Sequence, residues 1–191
     1  FGGGHRASVT AVAISPDGRW LFSGDDAGAG RLWNASTGEL SFALKGHTNR
    51  ITQAFFLLDG QQLLTSSTDG TVARWDVSTG KELPLGFTEG NAASREAGQP
   101  PITGMDLSPD GRRLLTLAEA SGAARMSVIR LWDVARGTLD AELYRGTENV
   151  ISVAFADDQA ALSVSFQPQT DERAVGGSLV RRWNLETRRE V

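Results

Sequence analysis

The chain has 191 residues, of which 40% are hydrophobic and 22% are charged, so it is long enough and apolar enough to bury a sizeable core. It contains no cysteine, which excludes disulfide bonds and thiolate metal sites. The formal net charge of -4 and the dispersed arginines give no electrostatic reason to expect a nucleic-acid or membrane partner.

One sequence pattern recurs four times along the chain, and each copy contains a tryptophan near its end. The four tryptophans are Trp33, Trp75, Trp132 and Trp183. The first two are 42 residues apart, which falls within the roughly 40–45-residue period of a four-stranded propeller blade. We therefore divide the chain into approximate repeats at residues 5–46, 47–97, 98–145 and 146–191.

Each repeat is predicted to begin with a strand and a tight turn. Apolar residues lie two positions apart in this strand, as a buried strand face requires. They are Val12 and Ile14, Ala54 and Phe56, Met105 and Leu107, and Val153 and Phe155. The turn that follows carries proline, aspartate and glycine residues, which favour hairpin loops.

Three further strands complete the pattern. The second strand places leucine at equivalent positions, at Leu21, Leu63, Leu114 and Leu162. The third strand ends with the tryptophan, and the next turn ends in glycine in the first three repeats but in Arg188 in the fourth. A short fourth strand is expected at Glu39–Leu44, Glu82–Phe87 and Leu139–Leu143. The fourth repeat is expected to lack this strand, because few residues follow the turn.

In this register the chain resembles the WD-repeat β-propeller family. The signatures are Gly-His at 46–47, Ser-Pro-Asp-Gly at 15–18 and 108–111, Asp-Gly at 69–70, and Trp-Asp at 75–76 and 132–133. The resemblance covers essentially the whole chain and implies an all-β propeller of four-stranded antiparallel blades, with four repeats of which the last is incomplete. It also implies that further blades or another chain cover the open edges, which otherwise invite strand pairing.

The two histidines, His5 and His47, each follow a glycine and lie 28 residues before a tryptophan. His47, Asp69 and Thr65 superficially match a nucleophile triad. In WD repeats, however, the corresponding residues form a structural hydrogen-bond relay, and this interpretation is favoured over catalysis. The resemblance implies a complete relay of His47, Asp69, Thr65 and Trp75.

The relay is expected to decay in the other repeats. In the first repeat it would be formed by His5, Ser23 and Trp33. Ala27 stands at the aspartate position there, so the neighbouring Asp26 is the expected substitute. In the third and fourth repeats glycine occupies the histidine position, which predicts weaker cross-bracing.

Three stretches exceed the 42-residue period, and their glycine, alanine and polar residues are typical of exposed loops. They are approximately Gly86–Pro100, Glu119–Met126 and Gln167–Ser178, and the resemblance implies that all three project from one face. Such insertions often map to a binding face, but neutral loop growth is an equally simple explanation, because longer loops add little entropic cost. Candidate partner-binding residues in these loops are Arg95, Glu96, Glu119, Arg125, Asp171, Glu172 and Arg173. No aromatic anchor is assigned to them, since Phe87 and Phe166, which flank the loops, are placed at strand ends.

The leading functional hypothesis is a non-catalytic interaction scaffold that presents this face to a protein or peptide partner. The resemblance also suggests a bacterial signalling module, because such arrays are often joined to kinases in bacteria. One alternative is an enzyme or small-ligand propeller with a site at the mouth of the central channel, and another is a purely structural repeat segment. No catalytic residue, metal site or cofactor is predicted, because no third ligand recurs near the two histidines.

Overall fold

The computed structural model describes residues 4–84, 100–120, 126–167 and 177–191. Each repeat folds into one four-stranded antiparallel sheet with its strands in sequence order, and the described residues contain no helix. The strands of the first two sheets are β1 (Val9–Ile14), β2 (Trp20–Asp25), β3 (Gly30–Asn34), β4 (Leu40–Leu44), β5 (Ile51–Phe56), β6 (Gln62–Ser67), β7 (Val72–Asp76) and β8 (Glu82–Leu83). The strands of the third and fourth sheets are β9 (Ile102–Leu107), β10 (Arg113–Ala120), β11 (Met126–Asp133), β12 (Thr138–Gly146), β13 (Asn149–Asp157), β14 (Ala160–Gln167), β15 (Gly177–Asn184) and β16 (Arg189–Glu190). The predicted all-β architecture of four-stranded antiparallel blades is confirmed.

The fourth sheet is more complete than the sequence predicts. Its outer strand β16 pairs with the end of β15, placing Glu190 opposite Trp183 and Arg189 opposite Asn184. These two charged residues carry no apolar strand signature, but main-chain pairing does not need one. In the second sheet, β8 is equally short, and the predicted continuation of this strand from residue 85 lies outside the described residues.

The structure forms two compact units, Phe1–Thr103 and Gly104–Val191, and each unit has a hydrophobic core between two sheets. In the C-terminal unit, Leu117 and Leu131 of the third sheet share this core with Trp183 of the fourth. The fourth sheet therefore buries the face that carries its tryptophan against the sheet that precedes it.

The N-terminal unit repeats this packing. Phe22 and Leu32, which are paired across β2 and β3, share the core with Trp75 of the second sheet. Alternate residues of a strand point to opposite faces, so Leu21 and Trp33 lie on the other face of the first sheet. Within the described part of this unit, that tryptophan face borders an open apolar trough of about 660 Å³.

The third and fourth sheets are taller than the first two, because part of each predicted loop is strand. In the first two sheets, the second hairpin extends three residue pairs beyond the tryptophan. In the third and fourth sheets it extends six pairs, to Ala120 opposite Met126 and to Gln167 opposite Gly177. At the usual rise of a strand, three additional pairs lengthen a hairpin by about 10 Å. The prediction that Glu119 lies in a loop is therefore wrong: it lies in β10.

The register of the fourth repeat also differs by one residue from the predicted alignment. Ala161, and not Leu162, lies opposite Trp183. An irregularity in the β13–β14 pairing between Phe155 and Asp157 accounts for the displaced residue. Ala161 is buried beside the tryptophan, whereas Leu162 is only half-buried on the other face.

Candidate functional site

The second repeat holds a hydrogen-bonded chain of four side chains. His47 precedes β5, Thr65 lies in β6, Asp69 lies in the β6–β7 turn, and Trp75 lies in β7. The Trp75 indole N–H donates to Thr65 Oγ1 at 2.9 Å. Thr65 Oγ1 is 2.8 Å from His47 Nε2, and His47 Nδ1 is 3.0 Å from Asp69 Oδ2. The structure thus brings together all four residues that the sequence assigns to this relay, and it links a loop, a turn and two strands.

The electrostatics of this relay centre on the Asp69 carboxylate. Burial alone would raise the pKa of Asp69, but hydrogen bonds from His47, Thr71 and the Thr48 N–H outweigh it and hold the pKa well below its usual range. The carboxylate is therefore charged and fully engaged. Thr65 is only 1% exposed, so its hydroxyl has no open approach for a substrate. The arrangement is suited to bracing the blade.

The first repeat has a relay with the same chemistry but a different aspartate. His5 Nδ1 lies 2.7 Å from Asp25 Oδ2, and its Nε2 lies 2.7 Å from Ser23 Oγ, which accepts the Trp33 indole N–H at 2.8 Å. The acid is therefore Asp25, and the expectation of Asp26 is wrong. Asp25 is the first residue of the β2–β3 turn, where its other carboxylate oxygen accepts backbone N–H groups of the turn at 2.9 and 3.0 Å.

The bond between the tryptophan and the hydroxyl is present in all four repeats. In the third repeat Trp132 donates to Thr116 at 2.9 Å, and in the fourth Trp183 donates to Ser163 at 2.9 Å. The histidine position of the third repeat lies outside the described residues. In the described part of the third sheet, the buried Arg130 of β11 forms an ion pair with Glu142 of β12 at 3.1 Å.

The fourth repeat has a different brace at the place where glycine replaces histidine. Arg181 of β15 donates two hydrogen bonds to Glu148 in the β12–β13 connection, one of them at 2.7 Å, and they lower the pKa of this carboxyl. Tyr144 packs against Trp183 with ring centroids 6.1 Å apart, and Arg181 lies over the tyrosine ring. In the second repeat the relay histidine packs against its tryptophan at 6.4 Å. Tyr144 thus packs against the tryptophan as the relay histidine does in the second repeat, and the Arg181–Glu148 ion pair links β15 to the β12–β13 connection.

Gly146→Ala is expected to destabilise the C-terminal unit by about 1–2 kcal/mol, as overpacked sites do. A Cβ at Gly146 would lie 2.7 Å from Cζ of Tyr144. This ring cannot move freely, because it is held between Trp183 and Arg181. Urea denaturation monitored by tryptophan fluorescence would measure the change.

The matched test for Gly146 uses a Tyr144→Ala background, in which the obstructing ring is absent. There, Gly146→Ala should have little additional effect, and the double-mutant cycle should show a coupling of about 1 kcal/mol. Equal destabilisation in both backgrounds would contradict the proposed contact.

The predicted partner-binding residues are mostly not described by the structure. Six of them, Arg95, Glu96, Arg125, Asp171, Glu172 and Arg173, lie outside the described residues. Glu119 is half-buried in β10, opposite Ser127. Two of the three long stretches fall between lengthened strands: residues 121–125 connect β10 to β11, and residues 168–176 connect β14 to β15. The stretch from residue 86 to 100 precedes β9 and lies almost wholly outside the described residues.

An exposed aromatic side chain lies beside one of these stretches. Phe166, in the lengthened part of β14, is 45% exposed, although the sequence gives it no role beyond ending a strand. Val180 of β15, also exposed, lies on the same face of the fourth sheet. The sequence of β14 contains a signal for this exposure, because small polar residues that are buried, Ser163 and Ser165, alternate with the apolar residues Val164 and Phe166 on the other face.

The described ranges lack two features that a functional site could use. No group of three or more histidine, cysteine, aspartate or glutamate residues in them is arranged to hold a metal ion. Nor do those ranges contain a helix that is long and apolar enough to cross a membrane.

Comparison with known proteins places this geometry among repeat proteins. The family profile described as "WD domain, G-beta repeat" matches residues 2–34 and 38–76. Similar curated proteins include periodic tryptophan protein 2 of Arabidopsis thaliana, 29% identical over 85% of the chain and 21% of that protein. Pre-rRNA-processing protein crb3/ipi3 of Schizosaccharomyces pombe is 32% identical over 69% of the chain and 30% of that protein. A guanine nucleotide-binding protein subunit beta of Arabidopsis thaliana is 30% identical over 75% of the chain and 36% of that protein.

The chain spans only about a fifth to a third of the length of these relatives. They are eukaryotic, and they do not support the suggested bacterial signalling module. Among solved structures, the computationally designed protein Ika4 is similar with a TM-score of 0.66 and 27% identity, covering 96% of this chain and 94% of that one. The designed protein Ika8 is similar with a TM-score of 0.71 and 25% identity, covering 98% of this chain and 49% of that one.

Proposed function

We propose that this chain, which belongs to the WD-repeat family, acts as a non-catalytic scaffold that binds a protein or peptide partner. Its WD-repeat relatives typically bind proteins. The relays favour this role over catalysis, because their hydroxyl groups accept the tryptophan N–H and the residues that carry them are buried.

The observation that carries the proposal is the lengthening of the third and fourth sheets. Their second hairpins run three residue pairs further than those of the first two sheets. This extension supports a raised surface, which we call the hairpin surface, formed by the ends of β10, β11, β14 and β15. Phe166 supplies it with an exposed aromatic side chain, the type that dominates binding hot spots.

Phe166→Ser is expected to weaken partner binding at least tenfold, because a central aromatic anchor typically contributes about 2 kcal/mol or more. Removing a side chain that is already exposed should change the stability of the fold by less than about 0.5 kcal/mol. The partner would first be isolated by affinity purification of the full protein from its source cells. Its binding to purified wild type and variant would then be measured by calorimetry.

The matched control is Leu58→Ser. Leu58 is also an exposed apolar residue, but it belongs to the N-terminal unit, where it lies in the β5–β6 turn of the second sheet. This control should bind the partner like the wild type. A second variant replaces residues 168–176 with the five-residue turn 67–71 of the second sheet. Unchanged binding by both hairpin variants would overturn the hairpin surface as the binding site.

A further inference from the structure

A second recess lies at the other end of the third and fourth sheets, away from the hairpin surface. It has a volume of about 450 Å³ and is lined by two turns and three strands of the C-terminal unit. Arg112 lies in the β9–β10 turn, Arg113 begins β10, and Arg188 lies in the β15–β16 turn. The carboxylates in its lining are Asp133, Asp140 and Glu186. Three arginines from two different sheets therefore line one cavity of ligand size.

Arg188 occupies a backbone conformation that glycine occupies in the other repeats. Its φ of 59° is the only positive value among the described residues that are not glycine. The equivalent turn residues of the first three repeats are Gly38, Gly80 and Gly137, with φ of 71°, 66° and 66°. A Cβ is disfavoured in this left-handed region. Backbone outliers of this kind concentrate at functional sites. We therefore expect Arg188 to have a function that requires its side chain.

The side chain of Arg188 is held in place by the neighbouring sheet. Its Nη2 donates to Asp140 Oδ1 of β12 at 2.7 Å. Asp133 is also engaged, because its Oδ1 accepts the Arg136 N–H at 2.8 Å and its Oδ2 lies 3.6 Å from the Arg136 guanidinium. Two of the three carboxylates are therefore already paired by arginine.

The other two arginines retain donors for a ligand. Arg112 is 86% exposed and reaches only Asp110 of its own turn, at 4.0 Å. The Arg113 guanidinium forms no ion pair with any residue that the structure describes, and its backbone N–H is bonded to Ser108. A guanidinium presents parallel N–H donors that match the two oxygens of a carboxylate.

We propose that this recess, called the arginine recess, binds an acidic side chain of a peptide segment from a protein partner. Arg112 and Arg113 would donate to the carboxylate, and Arg188, anchored by Asp140, would close the cavity beside it. A carboxylate fits better than a phosphate, because the lining holds as many carboxylates as arginines and a group of about -1.5 to -2 charges would leave the occupied recess more negative than a single charge does. This site is independent of the hairpin surface.

The test uses the full protein and a fluorescein-labelled hexaglutamate peptide, with hexaglutamine as the uncharged comparison. Fluorescence anisotropy should detect binding of the acidic peptide and not of the glutamine peptide. Arg188→Gly should weaken the binding at least fivefold. It should keep or raise the melting temperature, because glycine adopts a positive φ without steric cost. Arg112→Gln should weaken it about threefold.

Arg19→Gln is the matched control, since exposed Arg19 follows Gly18 in the first repeat as Arg112 follows Gly111 in the third, lies 3.6 Å from Asp17 of its own turn, and does not line the recess. It should bind the acidic peptide like the wild type, as should Phe166→Ser, which separates this site from the hairpin surface. Equal binding by wild type and Arg188→Gly, or equal loss in Arg19→Gln, would overturn the proposal. Displacement of the peptide by inorganic phosphate at lower concentration than by acetate would overturn the assignment to a carboxylate.

Discussion

Trp75→Ala is expected to lower the free energy of unfolding of the N-terminal unit by about 3–5 kcal/mol, as large-to-small changes of buried aromatic residues do. Trp75 is 3% exposed and shares the core between the first two sheets with Phe22 and Leu32. Its removal would leave a cavity and would also deprive Thr65 of the indole N–H that it accepts. Guanidinium denaturation followed by circular dichroism would measure the change.

Trp33→Ala is the matched comparison, because Trp33 occupies the same position in the first repeat and makes the same bond to a hydroxyl. Its face of the first sheet borders the open trough, so the expected loss is only about 1–2 kcal/mol. The difference between the two variants measures the contribution of one sheet packed on the tryptophan of the next. A loss of less than about 1 kcal/mol for Trp75→Ala would contradict the assigned core.

The architecture was predictable because its signals are local and repeated. Turn residues such as Asp17 and Gly18, and the recurring tryptophans, set strand ends and period without reference to distant contacts. The four sheets follow directly from that period. The outer strand β16 escaped prediction because main-chain pairing holds it and its two residues are charged.

The relays were only partly predictable. An aspartate can reach the histidine from either the first or the third residue of the same turn, so aligning Ala27 with Asp69 could not identify Asp25. Alignment of the repeats could not predict the brace of the fourth repeat, because Tyr144 and Arg181 come from different strands and meet only in the folded sheet. Loss of the histidine therefore does not mean loss of a brace.

The surface features were the least predictable. Spacing located the additional residues of the β10–β11 and β14–β15 hairpins, but it could not distinguish a longer loop from a taller hairpin, as Glu119 illustrates. Phe166 lies at a strand end as the sequence indicates, yet only the packed sheets show that its face is open. The significance of Arg188 rests on a backbone angle, which a missing glycine in a turn hints at but does not establish.

The relay of the second repeat should make the N-terminal unit sensitive to acid, and Asp69→Asn should remove most of this sensitivity. Asparagine keeps the shape of the side chain but lacks the charge, and its amide nitrogen cannot accept the hydrogen bonds that one carboxylate oxygen accepts from His47 and Thr48 or from Thr71. We expect a loss of about 1.5–3 kcal/mol at pH 7, the range for hydrogen bonds to charged groups. The free energy of unfolding would be measured by denaturation across the pH range.

The direction of the pH effect follows from the low pKa of the folded Asp69 carboxyl. Burial opposes the charged form, but the hydrogen bonds from His47 and the two threonines prevail, so the folded pKa lies below the unfolded value of about 3.9. The carboxylate therefore stabilises the fold fully above that unfolded value, and the contribution declines as pH falls toward the folded pKa. The difference in free energy of unfolding between wild type and Asp69→Asn should accordingly be constant from about pH 7 to 5 and shrink below about pH 4.

Asp26→Asn, which removes an exposed carboxylate paired with Arg50 at 3.6 Å, is the control and should differ from wild type by less than about 0.5 kcal/mol throughout. A difference for Asp69→Asn that stays constant down to about pH 2 would show that the hydrogen-bonded charge does not hold this blade together.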